Sequence, residues 1–164
     1  METWRLLAHA LPIGIGATVL LDAWAWLLQR LGSRAPDWCL VGRWVGHFPR
    51  GRFVHASIGR AAPVRGECAL GWAVHYLTGI VYAAVLVAVC GSGWLRQPTL
   101  LPALVVGVGT VVFPFFVMQP GMGFGIAASK APDPMRARLR SLATHTVFGV
   151  GLYLAARATA AMIA

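Results

Sequence analysis

Cys68–Cys90, CALGWAVHYLTGIVYAAVLVAVC, is 23 residues long and contains no Asp, Glu, Lys or Arg. A helix needs about 20 mostly apolar residues, at 1.5 Å each, to cross the hydrocarbon core of a bilayer. The run is continuous and lacks the alternation of a membrane-barrel strand. Three other stretches read the same way. Residues 6–28 hold one internal charge, Asp22; residues 100–118 are uncharged and carry Pro102 and Pro114; residues 142–163 carry Arg157 in their last two turns. Gly and Pro inside such helices are tolerated because neighbouring helices satisfy the freed backbone groups. The expected fold is therefore an all-α integral membrane protein, one transmembrane domain over residues 1–164. It is a four-transmembrane-helix bundle with connections at 30–67 and 119–141.

Composition agrees. The chain is 58% hydrophobic, 12% charged and has a mean hydropathy of +0.68, whereas soluble domains run nearer 45–50% apolar and about 25% charged. So much apolar surface excludes a disordered chain. A net charge of +9 would suit a nucleic-acid binder if it were spread along the chain. It is not spread, and no nucleic-acid partner is expected. Arg30, Arg34, Arg43, Arg50, Arg52, Arg60 and Arg65 fall in the first connection; Lys130, Arg136, Arg138 and Arg140 fall in the third. Only Arg5, Arg96 and Arg157 belong to the opposite side. The positive-inside rule then places both long connections in the cytoplasm and both termini outside. A cleaved leader is the competing reading of the first stretch, but Glu2 offsets Arg5, and Ala23 and Ala25 give a poor cleavage match beside bulky Trp24 and Trp26. The first span is expected to be retained. Cys39, Cys68 and Cys90 give no disulfide framework on this reading, since Cys39 and Cys68 fall on the reducing side.

The connections carry local signals. Asp37 caps an expected short helix in which Trp38, Val41, Val45 and Phe48 recur near helical spacing. Its tryptophans suit the headgroup zone, so an interfacial helix is expected, followed by an irregular basic loop. Arg43, Lys130, Arg136, Arg138 and Arg140 are the candidates for anions or anionic lipid headgroups, and membrane lipid is the expected partner. The turn Gly121-Met122-Gly123-Phe124-Gly125 lets the backbone bend tightly, but it has neither Walker nor Rossmann spacing. Asp133-Pro134 reads as N-cap and first residue of the last helix.

Polar residues inside the apolar stretches carry what chemistry there is. Gly14, Thr18 and Asp22 share one helix face; so do Glu67, Gly71, His75 and Gly79, and so do Ser141, His145, Gly149 and Tyr153. Gly107, Thr110, Pro114 and Gln119 mark the third stretch. Small residues let helices approach closely, and polar ones avoid lipid by facing one another. Asp22 lies eight residues from Arg30 and His75 eight from Glu67, each about 12 Å of helix. His145 is five residues from Arg140. Asp22, His75 and His145 are thus expected to converge in the cytoplasmic half, with Glu67 and Gln119 at the mouth. An ionisable residue in a membrane span is a functional candidate by default.

Four uses of that trio are weighed. They are hydrogen bonding that fixes helix register, a proton or cation relay, a metal site on Asp22, His75 and His145, and a haem held by His75 and His145. His9, His47 and His55 are read as solvated or interfacial. No GxSxG, Walker or paired-cysteine motif gives ordinary enzyme chemistry a foothold, and the sequence names no cofactor.

Several words together carry a resemblance: Leu40-Val41-Gly42-Arg43-Trp44, Gly71-Trp72 with His75-Tyr76, Pro114 to Gly121, and Phe148 to Tyr153. The chain resembles a family of small bacterial four-span membrane proteins catalogued as a domain of unknown function. The resemblance implies a bacterial inner-membrane location and a single bundle, and it carries over no reaction. The functional expectation is translocation or sensing of protons or small cations through the Asp/His cluster. The alternatives are a membrane-embedded metal or haem redox protein, and a structural accessory subunit of a larger complex. With so few helices, a homo-oligomer or a membrane partner is expected.

Overall fold

The computed structural model describes residues 3–33 and 36–163. Arg34 of the basic block and Glu2 of the leader argument lie outside the described residues. The helices are α1 (Thr3–Arg30), α2 (Trp38–Gly46), α3 (Glu67–Arg96), α4 (Leu100–Gly109), α5 (Gln119–Met122) and α6 (Pro134–Ile163). Single 3-10 turns occur at Phe48–Arg50, Ile58–Arg60 and Ile126–Ala128, and a π turn at Pro114–Met118. Among the described residues there is no strand. Three helical stretches among them are long and apolar enough to cross a membrane: Ala8–Arg30, Glu67–Arg96 and Leu100–Met122. α6 is as long as α3 but more polar, with Arg136, Arg138 and Arg140 at its start and Arg157 near its end.

The expected boundaries shift in two places. The stretch expected over 100–118 extends to Met122, and it is not one α-helix. Pro114 has no N–H for the Thr110 carbonyl, and its ring crowds that oxygen, so the ladder breaks at Thr110 and resumes with π geometry. The connection expected after Cys90 is instead mostly helical, because α3 continues to Arg96 across a single non-helical residue, Gly91 (φ 70°).

The chain forms two compact units. The first comprises α1, α3 from Tyr76 onward, the chain to Thr110, and α6 from Ala143. Its core is built from small side chains at helix contacts and larger ones between them: Ala10, Ile13, Ala17, Ala83, Leu86, Ala103, Phe148 and Leu152 are among the buried residues. The small-residue faces read from the sequence are the contact faces. A Cβ on Gly14 would come 2.5 Å from the Ile80 Cα and 2.8 Å from the Gly79 oxygen. One on Gly107 would meet the Gly149 backbone N at 2.6 Å; Gly151, which belongs to none of those faces, also packs closely, a Cβ there coming 3.1 Å from the Ala17 Cα. Buried Thr18 and Thr159 each donate to the carbonyl one turn back in their own helix, at 2.8 Å, so neither hydroxyl demands a partner across a contact. The outward faces are the reverse of a soluble bundle. Leu11, Ile15 and Val19 on α1, and Val81, Val85 and Val89 on α3, stand exposed one turn above another. Glycine and alanine at the helix contacts with large aliphatics exposed on the outward faces are what an apolar solvent selects, because it does not penalise an exposed leucine.

The second unit comprises residues 36–75 and 111–142. Asp37 caps α2 as expected, its Oδ1 accepting from the N–H of Cys39 (3.0 Å) and Leu40 (3.4 Å). Asp133 likewise accepts from the Arg136 N–H at 3.0 Å, with Pro134 opening α6. Val41, Trp44, Ile58 and Met122 form the core. The Trp44 indole donates to the Phe53 carbonyl at 2.8 Å and lies edge-on to Phe48, 4.8 Å between centroids. One expectation fails here. Cys39 and Cys68 are joined as a disulfide, and Cys90 is free. The cause is packing the spacing of cysteines could not reveal: Gly42 and Gly71 let α2 lie directly on the start of α3, bringing the two cysteine Cα atoms to 3.9 Å.

Candidate functional site

In the first unit, the contact of Gly14 with Gly79 and Ile80 holds α1 against α3. Two turns further along α1, the Tyr76 hydroxyl donates to Asp22 Oδ2 at 2.9 Å. The carboxylate is half-buried. A carboxylate removed from water needs a donor, and here a phenol supplies one. Tyr76 is a functional candidate the sequence reading missed. The signal was present, since Tyr76 stands three residues before Gly79 and shares its face.

His145 is held on the other helix pair. Gly107 meets Gly149, and one turn before Gly149 the imidazole reaches α4's end. The Thr110 hydroxyl donates to the Gly107 carbonyl at 2.6 Å, which turns its oxygen toward His145 Nδ1, 2.9 Å away. Nδ1 also lies 3.2 Å from the Gly107 oxygen. Both contacts suit an Nδ1–H donor and so fix that tautomer.

The remaining predicted residues belong to the second unit. His75 is buried and stacks on Trp38, 3.8 Å between centroids and 23° between planes, with Trp72 at its edge. Glu67 is engaged rather than open. Its two oxygens take the Arg43 guanidinium as a fork, at 2.9 Å and 2.6 Å, and Oε2 also accepts from the Val64 N–H at 2.8 Å. Arg43 extends to the Ala61 carbonyl at 3.3 Å, so one ion pair ties α2, α3 and the loop between them. The hydrogen-bonded carboxylate holds the guanidinium above its ordinary pKa. Arg43, expected to be available to anions, is committed to this pair.

The loops of this unit also bury groups read from the sequence as solvated. His47 is 3% exposed, and its Nε2 pairs with the Ala62 carbonyl at 3.0 Å. Its ring faces His55, 5.0 Å between centroids. His47 Nδ1, both ring nitrogens of His55 and the Oε1 of Gln119 are buried without a hydrogen-bond partner, while Gln119 Nε2 reaches the Ser141 hydroxyl at 3.5 Å. Each orphaned group costs about 1–3 kcal/mol. Buried polar groups left in this state call for an explanation, a bound ion or water among them. Beside it lies an open cleft of about 510 Å³, lined by His55, Gly123, Gly125, Ser129 and Lys130. The turn that forms it holds Ala127 and Ala128 at φ 48° and 57°, and Arg138 Nε braces the Ala127 carbonyl at 2.8 Å. Lys130 thus faces a cleft as an anion candidate would, whereas Arg138 supports the turn.

Asp22 and His145 lie in the first unit and His75 in the second. Among the described residues, no group of three or more His, Cys, Asp or Glu side chains is arranged to hold a metal ion.

A family model described as "Protein of unknown function (DUF2938)" matches residues 11–159. No curated protein and no solved structure matches the chain.

Proposed function

Because the chain belongs to the DUF2938 family, a family of unknown function, we propose a function from its own geometry: a multi-span membrane protein that translocates or senses protons or small cations at Asp22. The observation that carries this reading is the Tyr76 hydroxyl on the Asp22 carboxylate within a stretch apolar enough to cross a membrane. A carboxyl group in that setting costs several kcal/mol unless it is protonated or paired, so its protonation state couples to whatever approaches it. Asp22 exchanges the proton with Tyr76, and His145, in the same unit, relays it toward the cytoplasm. In this reading α6 supplies a fourth span over 142–163, both termini face outward, and the protein sits in a bacterial inner membrane as a homo-oligomer or beside a membrane partner. The clustering of eleven of fourteen basic residues in the 30–67 and 119–141 connections supports that orientation.

The test is proton flux into liposomes holding the purified protein, read by an internal pH dye under an imposed gradient. Flux is expected from the wild type and none from Asp22→Asn, which keeps the shape and the Tyr76 hydrogen bond but carries no proton. Equal flux from both, or none from the wild type, rejects the reading.

A second reading rests on a separate observation, the orphaned nitrogens of His47 and His55 beside Lys130 and its cleft. That cleft takes an anionic headgroup or another small anion. Loss of preference for anionic over zwitterionic lipid in Lys130→Gln supports it; an unchanged preference refutes it.

A further inference from the structure

Cys39 and Cys68 are each the second residue of a helix, and each is followed three residues later by a glycine: Cys39-Leu40-Val41-Gly42 and Cys68-Ala69-Leu70-Gly71. The two words cross. A Cβ on Gly42 would overlap the Glu67 carbonyl and come 2.5 Å from the Gly71 N, and one on Gly71 would overlap the Trp38 carbonyl. The same contact is fastened on both flanks without the sulfurs. The Arg43–Glu67 fork closes one flank. Trp38, stacked on His75 and 6.1 Å from Trp72, closes the other. The packing of α2 on α3 thus has an ion pair and an aromatic stack beside it that do not involve the sulfurs. The two residues also differ in exposure: Cys68 is exposed and Cys39 half-buried.

We propose that Cys39 and Cys68 are a reversible redox pair that exchanges two electrons with an external dithiol. A structural crosslink does its work where little else holds two elements together, and here an ion pair and an aromatic stack hold the same contact. Exposed disulfides are the ones open to exchange, and access selects which sulfur is attacked. A thiolate of the dithiol attacks the sulfur of the more exposed residue, Cys68. The bond to Cys39 breaks, and Cys39 leaves as a thiolate and takes a proton. The second thiol of the reagent then attacks its own sulfur in the mixed disulfide and expels Cys68, which is protonated in turn. The dithiol ends as a disulfide, and the protein has gained two electrons and two protons. Nothing in this cycle depends on Asp22.

The test uses the full chain in detergent, equilibrated with mixtures of reduced and oxidised dithiothreitol, quenched with acid and tagged with a maleimide. One reversible step is expected in which tagged thiols rise from one, Cys90, to three, with unchanged tryptophan emission and no new protease cuts between residues 48 and 65. Reduction that needs denaturant, or that exposes this loop to protease, overturns the proposal. Two single variants test the roles. In a Cys90→Ser background, Cys68 left alone by Cys39→Ser should react with an aromatic disulfide on the order of tenfold faster than Cys39 left alone by Cys68→Ser. Equal or reversed rates refute the assignment.

Discussion

Gly107→Ala isolates what holds the first unit together. The added methyl group would meet the Gly149 N at 2.6 Å and the His145 carbonyl at 3.0 Å, besides overlapping the Gly149 Cα. Every obstacle is backbone, so no side chain can swing aside and α4 must retreat from α6 by most of an ångström. In lipid that contact lives on dispersion between close surfaces rather than on water exclusion, and a gap of that size forfeits much of it. A loss of about 1–3 kcal/mol is expected. Gly109, two residues along the same helix, is exposed, and a Cβ there has nothing within 4 Å. Gly109→Ala should be neutral or gain up to ~1 kcal/mol through helix propensity. The assay is unfolding by SDS in mixed micelles, followed by tryptophan emission, with buried Trp94 as the reporter in this unit. Indistinguishable curves for the two variants would show that glycine at 107 is not there for close approach.

Two other perturbations follow from the second unit. Ala127→Gly should raise thermal stability by about 1 kcal/mol, because a side chain at φ 48° is strained and glycine is not; a lower melting temperature would mean that the Ala127 methyl contributes more than its backbone costs. Trp44→Phe keeps the ring against Phe48 but leaves the Phe53 carbonyl without its indole donor, so limited proteolysis between residues 48 and 65 should accelerate, in line with a loss of about 1 kcal/mol. An unchanged cleavage rate would place that carbonyl in contact with solvent.

Helix caps were legible in the sequence because their donors and acceptors are within a few residues of one another. Asp37 and Asp133 each bond an N–H two or three residues ahead. The glycine faces were legible for a similar reason, since a helical period of 3.6 residues fixes which side chains share a face. What escaped was the partner of each face. Depth along the helices points Asp22 to an imidazole, and a tyrosine hydroxyl is the donor the structure adds. The loop sequence around His47 implies a solvated ring, yet the loop folds over it and the Ala62 carbonyl meets it. Its position at the end of an apolar run suggests Glu67 as a group at the mouth of a polar interior, and an arginine 24 residues earlier claims it.

The sequence alone determined that this chain is helical and apolar enough for a membrane. Hydropathy and helix periodicity are sums over neighbours, and no distant residue can cancel a run such as Cys68–Cys90. Only the tertiary structure decided that Cys39 bonds Cys68 and that Tyr76 serves Asp22. Those pairings depend on how closely two helices approach, and that distance is set by which glycines happen to face each other across the contact.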